Sequence, residues 1–440
     1  MSSTHGSTSA ARPVAGSPFG DSIQTEARPS ALARGTAAGA PDVSGPKRKI
    51  ALLVPLSRPG QTAEIARGLK QAGELALFAF QNPQLELVVK DTAGTAEGAR
   101  AAADAALAAG AQIIIGPLFA SSVTAVATVA RPRGIPVIAF SNDESVAAPG
   151  TYLLSFQPRQ EIGRIIDYAV QSGKQTYAGL IADDAYGKVL TTAFRQAVAQ
   201  RGGRIAALET YPRGANGMLE KAQKLFEQVA GITGDDDTTA TQPSAPLVDA
   251  VFVPGDGATL PTLGPIMTYA KLDARQVMLI GNGGWDYRGV NRIKAFHGGL
   301  FAAPDPRQFD AFAAKYGRTF NAAPPRIASF AYDGVAIAAT LAARAPSQPF
   351  TADRITAPAG FDGIDGPVRF LPSGLAERGL SVLEVTANGT RVVSPAPTRF
   401  GAGANTQSAV NALQSTGNQP LSAPASAGQL TSVFQPSSQQ

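Results

Sequence analysis

The run Gln112-Ile113-Ile114-Ile115-Gly116-Pro117, continuing as Leu118-Phe119-Ala120-Ser121-Ser122, constrains this chain more than any other stretch. Three consecutive isoleucines with no polar alternation suit a strand buried on both faces, as in a parallel sheet covered by helices. Gly116-Pro117 stops the strand, and Ser121 and Ser122 stand where the following helix begins. A helix start leaves backbone N–H groups unpaired and attracts anions. Open α/β sheets bind ligands at the carboxyl ends of their strands. Two readings of the serine pair stay open: ordinary helix capping, or part of an anion site. Similar strand, polar turn and helix junctions recur along the chain, so the run is one unit of a series.

The series starts with a strand at 49–56 and a helix at 63–81, whose Ile65, Leu69, Ala72, Ala76 and Phe80 share one face. A strand at 85–90 ends in Asp91-Thr92-Ala93-Gly94, and an alanine-rich helix from 96 stops at Gly110, a left-handed cap. The isoleucine strand, the helix at Ser121 and a strand at 136–140 complete one doubly wound unit. After a crossover near 151–156, a helix carries Ile162, Ile165, Ile166 and Ala169. A strand at 177–182 then leads into Asp183-Asp184-Ala185-Tyr186-Gly187 and a helix with Leu190, Phe194, Ala197 and Val198. Further strands are predicted near 204–208, 250–253 and 277–280, helices near 308–316 and 326–343, and late strands at 366–370 and 380–386. A chain of 440 residues is long enough for two cores. The implied fold class is α/β, two doubly wound parallel-sheet lobes, with a cleft between them as the natural ligand site. Residues 1–46 and 397–440 are rich in Ser, Ala, Gly, Thr and Gln without periodicity and predict disordered tails. The acidic insert at 234–246 reads as a solvated loop. Its Asp235-Asp236-Asp237 run lacks the spaced ligands of a calcium loop.

Several function classes fall away. The absence of cysteine removes disulfides, zinc–thiolate sites and cysteine nucleophiles together. Of two histidines, His5 lies in the leader and His297 precedes Gly298-Gly299, where a structural or surface role is expected. One histidine cannot build a multi-histidine metal site, and any serine–histidine–acid triad would rest on it. There is no Gly-x-Gly-x-x-Gly turn and no P-loop, so no cofactor and no metal are expected, and the chain reads as a non-enzyme. A net charge of +5, despite a pI near 9.4, forms no concentrated basic stripe, so nucleic acid is not an expected partner. No transmembrane segment is expected, and residues 1–11 lack the apolar centre of a signal peptide.

The order Val54-Pro55-Leu56-Ser57, Asp91-Thr92-Ala93-Gly94-Thr95, Ile115-Gly116-Pro117 with Ser121-Ser122, then Ser141-Asn142 and Asp184-Ala185-Tyr186-Gly187 resembles the type I periplasmic binding proteins, of the leucine/isoleucine/valine-binding kind. Phe361-Asp362-Gly363 through Arg369-Phe370 resembles that family's final hinge region, and the resemblance covers about residues 47–393. It implies a first lobe at 47–155 with about 325–345 returning to it, a second lobe at 156–324, and a hinge with closing strands at 346–396. It implies closure on a small amino-acid-like ligand, as the solute receptor of an ABC-type amino-acid transport system with an ABC permease as partner, in the periplasm or cell envelope. Carried over by position, Ser121 and Ser122 would hold a ligand carboxylate with nearby backbone N–H groups. Ser141 and Asn142 would contact the polar end, and Tyr186 would cover the ligand on closure. Asp256 or Asp286 would face an amine, and Trp285 would form an apolar wall. For Tyr186 and Trp285, simple packing is the alternative. The chain departs from the transporter pattern at Gln81-Asn82-Pro83-Gln84, where a Gly-rich segment is usual. That departure and the Gly116-Pro117-Leu118 variant also resemble the penicillin-binding-protein activators, lipoproteins that regulate a peptidoglycan synthase by protein contact. The lipidated cysteine expected of those proteins is absent here.

Overall fold

The computed structural model describes residues 47–212, 215–229, 247–270, 272, 276–287, 289–345, 347–397 and 400. The expected disordered tails and the 234–246 loop lie outside these residues. The first sheet is parallel throughout and contains β1 (Arg48–Val54), β2 (Leu85–Asp91), β3 (Ala111–Ile115), β4 (Val137–Ala139) and β5 (Thr151–Leu153) in the order β2-β1-β3-β4-β5. Helices α1 (Gln61–Phe80), α2 (Ala96–Ala108) and α3 (Ala120–Ala130) connect the first four strands. The isoleucine run is β3, and Ile113, Ile114 and Ile115 are fully buried. Ile113 and Ile115 pack on one face of the sheet and Ile114 on the other, as a strand covered on both sides requires.

The chain then crosses into a second lobe through α4 (Pro158–Gln171), β6 (Thr176–Ala182), α5 (Ala185–Gln200), β7 (Arg204–Tyr211), α6 (Ala215–Val229), β8 (Ala250–Phe252), α7 (Leu260–Tyr269), β9 (Met278–Gly281) and β10 (Leu300–Ala303). It returns through α8 (Pro306–Phe320), α9 (Ala328–Arg344), the short α10 (Ala352–Ile355) and an antiparallel sheet of β11 (Phe361–Gly363), β12 (Gly366–Phe370) and β13 (Ala376–Arg378). The hairpin β14 (Ser381–Thr386) and β15 (Gly389–Ser394) closes the chain.

The second sheet has seven strands in the order β15-β14-β10-β9-β8-β6-β7. Its β6 to β10 strands are parallel, but β14 pairs antiparallel to β10, so the sheet is mixed where sequence pattern predicted a parallel one. The β14/β15 pair is antiparallel too, because the turn at Ala387-Asn388 joins the two strands directly and a connection that short permits no other pairing.

The boundaries expected from sequence shift in one respect. Helix α8 falls within the span 156–324 expected for the second lobe, yet its Phe312 and Tyr316 belong to the first lobe's core and the Tyr316 hydroxyl donates to Gln71 of α1. The small sheet β11–β13 joins the same core through Phe361, Val368, Phe370 and Ala376. Helix α9 is buried from Ala328 to Leu341 without an exposed face, because α1, the first sheet and the small sheet surround it. Three segments therefore cross between the lobes: 154–157, 304–305 and 379–380. Side chains stitch the first to the last. Arg378 Nε donates to Ser155 O at 3.2 Å and Arg164 Nε to Leu380 O at 2.9 Å, while Gln160 bonds both Ala376 O and Arg378 N.

Candidate functional site

The carboxyl ends of β1, β2, β3 and β4 carry the loops of the first-lobe wall. Asp91, at the end of β2, accepts from Ala93 N at 2.8 Å and Ser57 N at 3.3 Å. Burial works to raise its pKa, but these hydrogen bonds outweigh burial and hold the carboxyl below its ordinary value, so its role is to tie two loops together. Thr95 caps α2 by accepting from Gly98 N at 3.0 Å. Helices α5 and α8 are likewise capped, by Asp184 and Asp305. Helices α1 and α3 are different: α1 opens on Gly60, which has no side chain to offer, and α3 has a cation beside its start. It opens on Phe119 with no side-chain cap, so the N–H groups of its first turn have no side-chain acceptor. Arg58, from the loop after β1, lies with its guanidinium 5.1 Å from the Phe119 ring centroid and one N–H donated to Gly94 O at 2.9 Å. A guanidinium and an uncapped helix start together form a cationic corner suited to a carboxylate.

The four first-lobe residues expected from sequence divide in two. Ser121 is exposed in the first turn of α3, and Asn142 is half-buried in the loop after β4. Ser122 is fully buried, and its hydroxyl donates to Thr95 O at 3.2 Å, so it fastens the 92–95 loop to α3. Ser141 is buried too. Its hydroxyl accepts from Asp143 N at 3.2 Å, and its carbonyl accepts from Ser155 Oγ at 2.7 Å. Both buried serines shape the wall from behind. Ser122 is thus committed to Thr95 O and lies behind the surface on which exposed Ser121 stands.

The second-lobe wall stands at the ends of β6, β8 and β9. Tyr186, in the first turn of α5, is half-buried and hydrogen-bonded to the Asn282 side chain. Burial raises its pKa, and the neighbouring Glu161 carboxylate adds to the rise. Asn282 accepts from Gly255 N at 3.1 Å, which ties the loop after β9 to the loop after β8. Asp256 is turned onto its own loop: Oδ1 accepts from Ala258 N at 3.0 Å and from Thr259 N and Oγ1 at 3.1 Å.

Trp285 follows the packing alternative. It is fully buried, donates Nε1–H to Val253 O at 2.9 Å and packs edge-on against Phe296, so it is core and not an apolar wall of the cleft. The adjacent Asp286 is paired with Arg326 at 3.3 Å, an ion pair between the lobes. Burial raises the Asp286 pKa against the pull of Arg326. Arg326 also bonds Asp365 at 2.8 Å and covers the Phe156 and Phe309 rings at 4.8 and 4.4 Å. An Asp286 so occupied is not the free acid expected for an amine.

Sequence reasoning missed Arg58, Glu161, Asn282 and Arg326. Glu161 lies in the first turn of α4 and is 7% exposed, with Oε2 accepting from Gly283 N at 3.0 Å. Burial lifts its carboxyl to about 7, opposed by the Gly283 bond and by Arg326. A Cβ at position 283 would lie 2.5 Å from Glu161 Oε1, so only glycine lets the carboxylate approach that backbone. A signal existed in the sequence, because Glu161 stands four residues before buried Ile165 and places an acid on the apolar stripe of α4. His297 bonds Asn291 O at 2.9 Å through Nε2, and no cluster of three or more metal-ligating side chains occurs among the described residues. No helix among them is long and apolar enough to cross a membrane.

A sequence profile of periplasmic binding proteins matches residues 47–390. Among solved structures, an ABC transporter substrate-binding protein from Sphaerobacter thermophilus superposes with TM-score 0.62 at 21% identity, over 80% of this chain and 98% of that one. The branched-chain amino acid transporter substrate-binding protein LivJ from Streptococcus pneumoniae, in complex with isoleucine, gives 0.54 at 19% identity, over 79% and 100%. A solute-binding protein of an ABC transporter from Rhodopseudomonas palustris BisB5, in complex with 3,4-dihydroxybenzoic acid, gives 0.55 at 18% identity, over 80% and 99%. At these identities the likeness speaks to the fold. A search of curated proteins returns no significant match.

Proposed function

The chain belongs to the periplasmic binding protein family, type I, and on that premise we propose that it is the solute receptor of an ABC-type amino-acid importer. It closes its two lobes on a small amino-acid-like ligand and hands that ligand to a permease. The family binds and delivers solutes, and the chain acts without catalytic turnover, in the periplasm. The observation that carries this reading is the cationic corner of the first lobe, where Arg58 lies over Phe119 at a helix start with no side-chain cap. Isoleucine and 3,4-dihydroxybenzoic acid, the ligands of two structural neighbours, share a carboxylate, the group such a corner receives. In this reading exposed Ser121 of α3 and half-buried Asn142 after β4 serve the same wall, and Tyr186 of α5 serves the opposite one. Neither the family match nor the structural neighbours support the peptidoglycan-synthase alternative.

Calorimetry of the full chain against the standard amino acids and simple aromatic acids tests the proposal. A micromolar ligand corresponds to about −8 kcal/mol. Removing a charge-assisted bond costs about 1.5–3 kcal/mol of that, so Arg58→Gln is expected to weaken binding roughly tenfold to hundredfold. Absence of binding by every ligand, or an Arg58→Gln variant that binds like the parent, overturns it.

A further inference from the structure

Two of the three crossings between the lobes bring an aromatic ring to the same guanidinium. Phe156 belongs to the crossing at 154–157, and Phe309 lies in the first turn of α8, just past the crossing at 304–305. Their ring centroids are 4.8 and 4.4 Å from the Arg326 guanidinium. The two ion pairs of this arginine differ. Nη1 donates to Asp365 at 2.8 Å, and that carboxylate is fully buried and takes a second bond from Ser329 Oγ at 2.6 Å. Arg326, Ser329 and Asp365 all belong to the first lobe, so this end rides unchanged when the lobes rotate. Nε donates to Asp286 at 3.3 Å, and Asp286 stands in the second lobe after β9. The Asp286 carboxylate has no other hydrogen-bond or ion-pair partner among the described residues, and the two side chains are 21% and 26% exposed. A partly exposed pair exchanges its partner for water at modest cost, whereas a fully buried carboxylate does not. Arg326 therefore has one fixed end and one releasable end, in different lobes. A second ion pair also joins the lobes, Arg159 to Glu144 at 3.3 Å. Arg159 lies in the first turn of α4, directly after the crossing at 154–157, so it moves with the pivot and separates little from Glu144.

We propose that Asp286 and Arg326 form a latch that holds the two lobes of the ligand-free protein in the relation seen here, and that its release lets them part. The inference goes beyond the receptor reading, because it concerns the protein before any solute binds and holds whichever solute that is. Its physical content is an equilibrium between a latched arrangement and a parted one in which Asp286 and Arg326 are separately hydrated. The pair biases that equilibrium toward the latched side. Anything that binds the latched arrangement then gains apparent affinity by the fraction of protein already in it.

The chain contains no cysteine, so one label can be placed in each lobe without removing a native thiol. Ala105→Cys on α2 and Gln196→Cys on α5, both exposed positions, carry spin labels on the full chain. The protein is refolded from denaturant to strip any bound solute, and pulsed electron paramagnetic resonance reads the interlobe distance distribution. The parent is expected to show mainly the separation these two positions have in this structure. Asp286→Asn keeps the shape and removes the charge, and is expected to raise the ratio of long to short separations about fivefold to tenfold, between the effects of an exposed ion pair and of a charge-assisted bond. Glu144→Gln breaks the pair beside the pivot and is expected to leave the distribution unchanged. An Asp286→Asn distribution that superposes on the parent's overturns the inference, and so does an equal shift by both variants. A parent that already samples mainly long separations overturns it without any variant, which keeps the test decisive if Asp286→Asn fails to fold. No ligand is added at any step, so failure of the latch and failure of the receptor reading are told apart.

Discussion

Arg326→Met tests the ion-pair network between the lobes. Arg326 bonds Asp365, which is fully buried and also accepts from Ser329 Oγ at 2.6 Å, and it pairs with Asp286 of the other lobe. Methionine fills much of the space against Phe156 and Phe309 but strips Asp365 of its ion pair and leaves it only the longer-range attraction of Arg378. Breaking a buried pair in this way costs about 3–5 kcal/mol. The unfolding entropy grows with chain length, so at this size about 1–2 °C of melting temperature is lost per kcal/mol, and the expected drop is roughly 3–10 °C. Differential scanning calorimetry at neutral pH reads it. The double variant Arg326→Met/Asp365→Asn removes the orphaned charge and should recover much of the loss, a coupling that additive damage would not produce. A single variant melting within about 1 °C of the parent, or a double variant worse than the single by the full sum, would refute the reasoning.

Two further outcomes follow from the same geometry. Glu161 has its carboxyl raised from the ordinary 4.5 to about 7, so between those values the folded state holds a proton that the unfolded chain releases; this contribution to stability is complete below about 4.5 and is lost as pH rises through about 7. The melting temperature of Glu161→Gln relative to the parent should therefore be higher at pH 8 than at pH 4.5, and a difference independent of pH contradicts the assignment. Ser122→Ala removes the hydroxyl that donates to Thr95 O, so a stability loss of about 0.5–1.5 kcal/mol is expected; a large loss of ligand affinity with an unchanged melting temperature would instead return Ser122 to the ligand.

The alternation of apolar strands with amphipathic helices was legible because its cause is local. Ile113–Ile115 can satisfy their backbone and bury their side chains only in a covered strand, and Ile162, Ile165, Ile166 and Ala169 share a helical face whatever they pack against. The fold class and the strand-end loops at Ser121, Asn142 and Tyr186 follow from such patterns. What lies behind those loops does not. Ser121 and Ser122 are neighbours of identical chemistry, yet one is exposed and the other is locked to Thr95, because consecutive helical positions point about 100° apart and only the packed loop selects which is hidden. Trp285 at a loop tip could face a ligand or the core, and the choice was made by Val253 O and Phe296, remote in sequence. Helix α8 has an apolar face that either lobe could bury, and α1 took it. Glu161 and Gly283 lie 122 residues apart and meet only when α4 packs beside β9. Periodicity determined which elements form, whereas the partners of each buried polar group depend on long-range packing that no local pattern encodes.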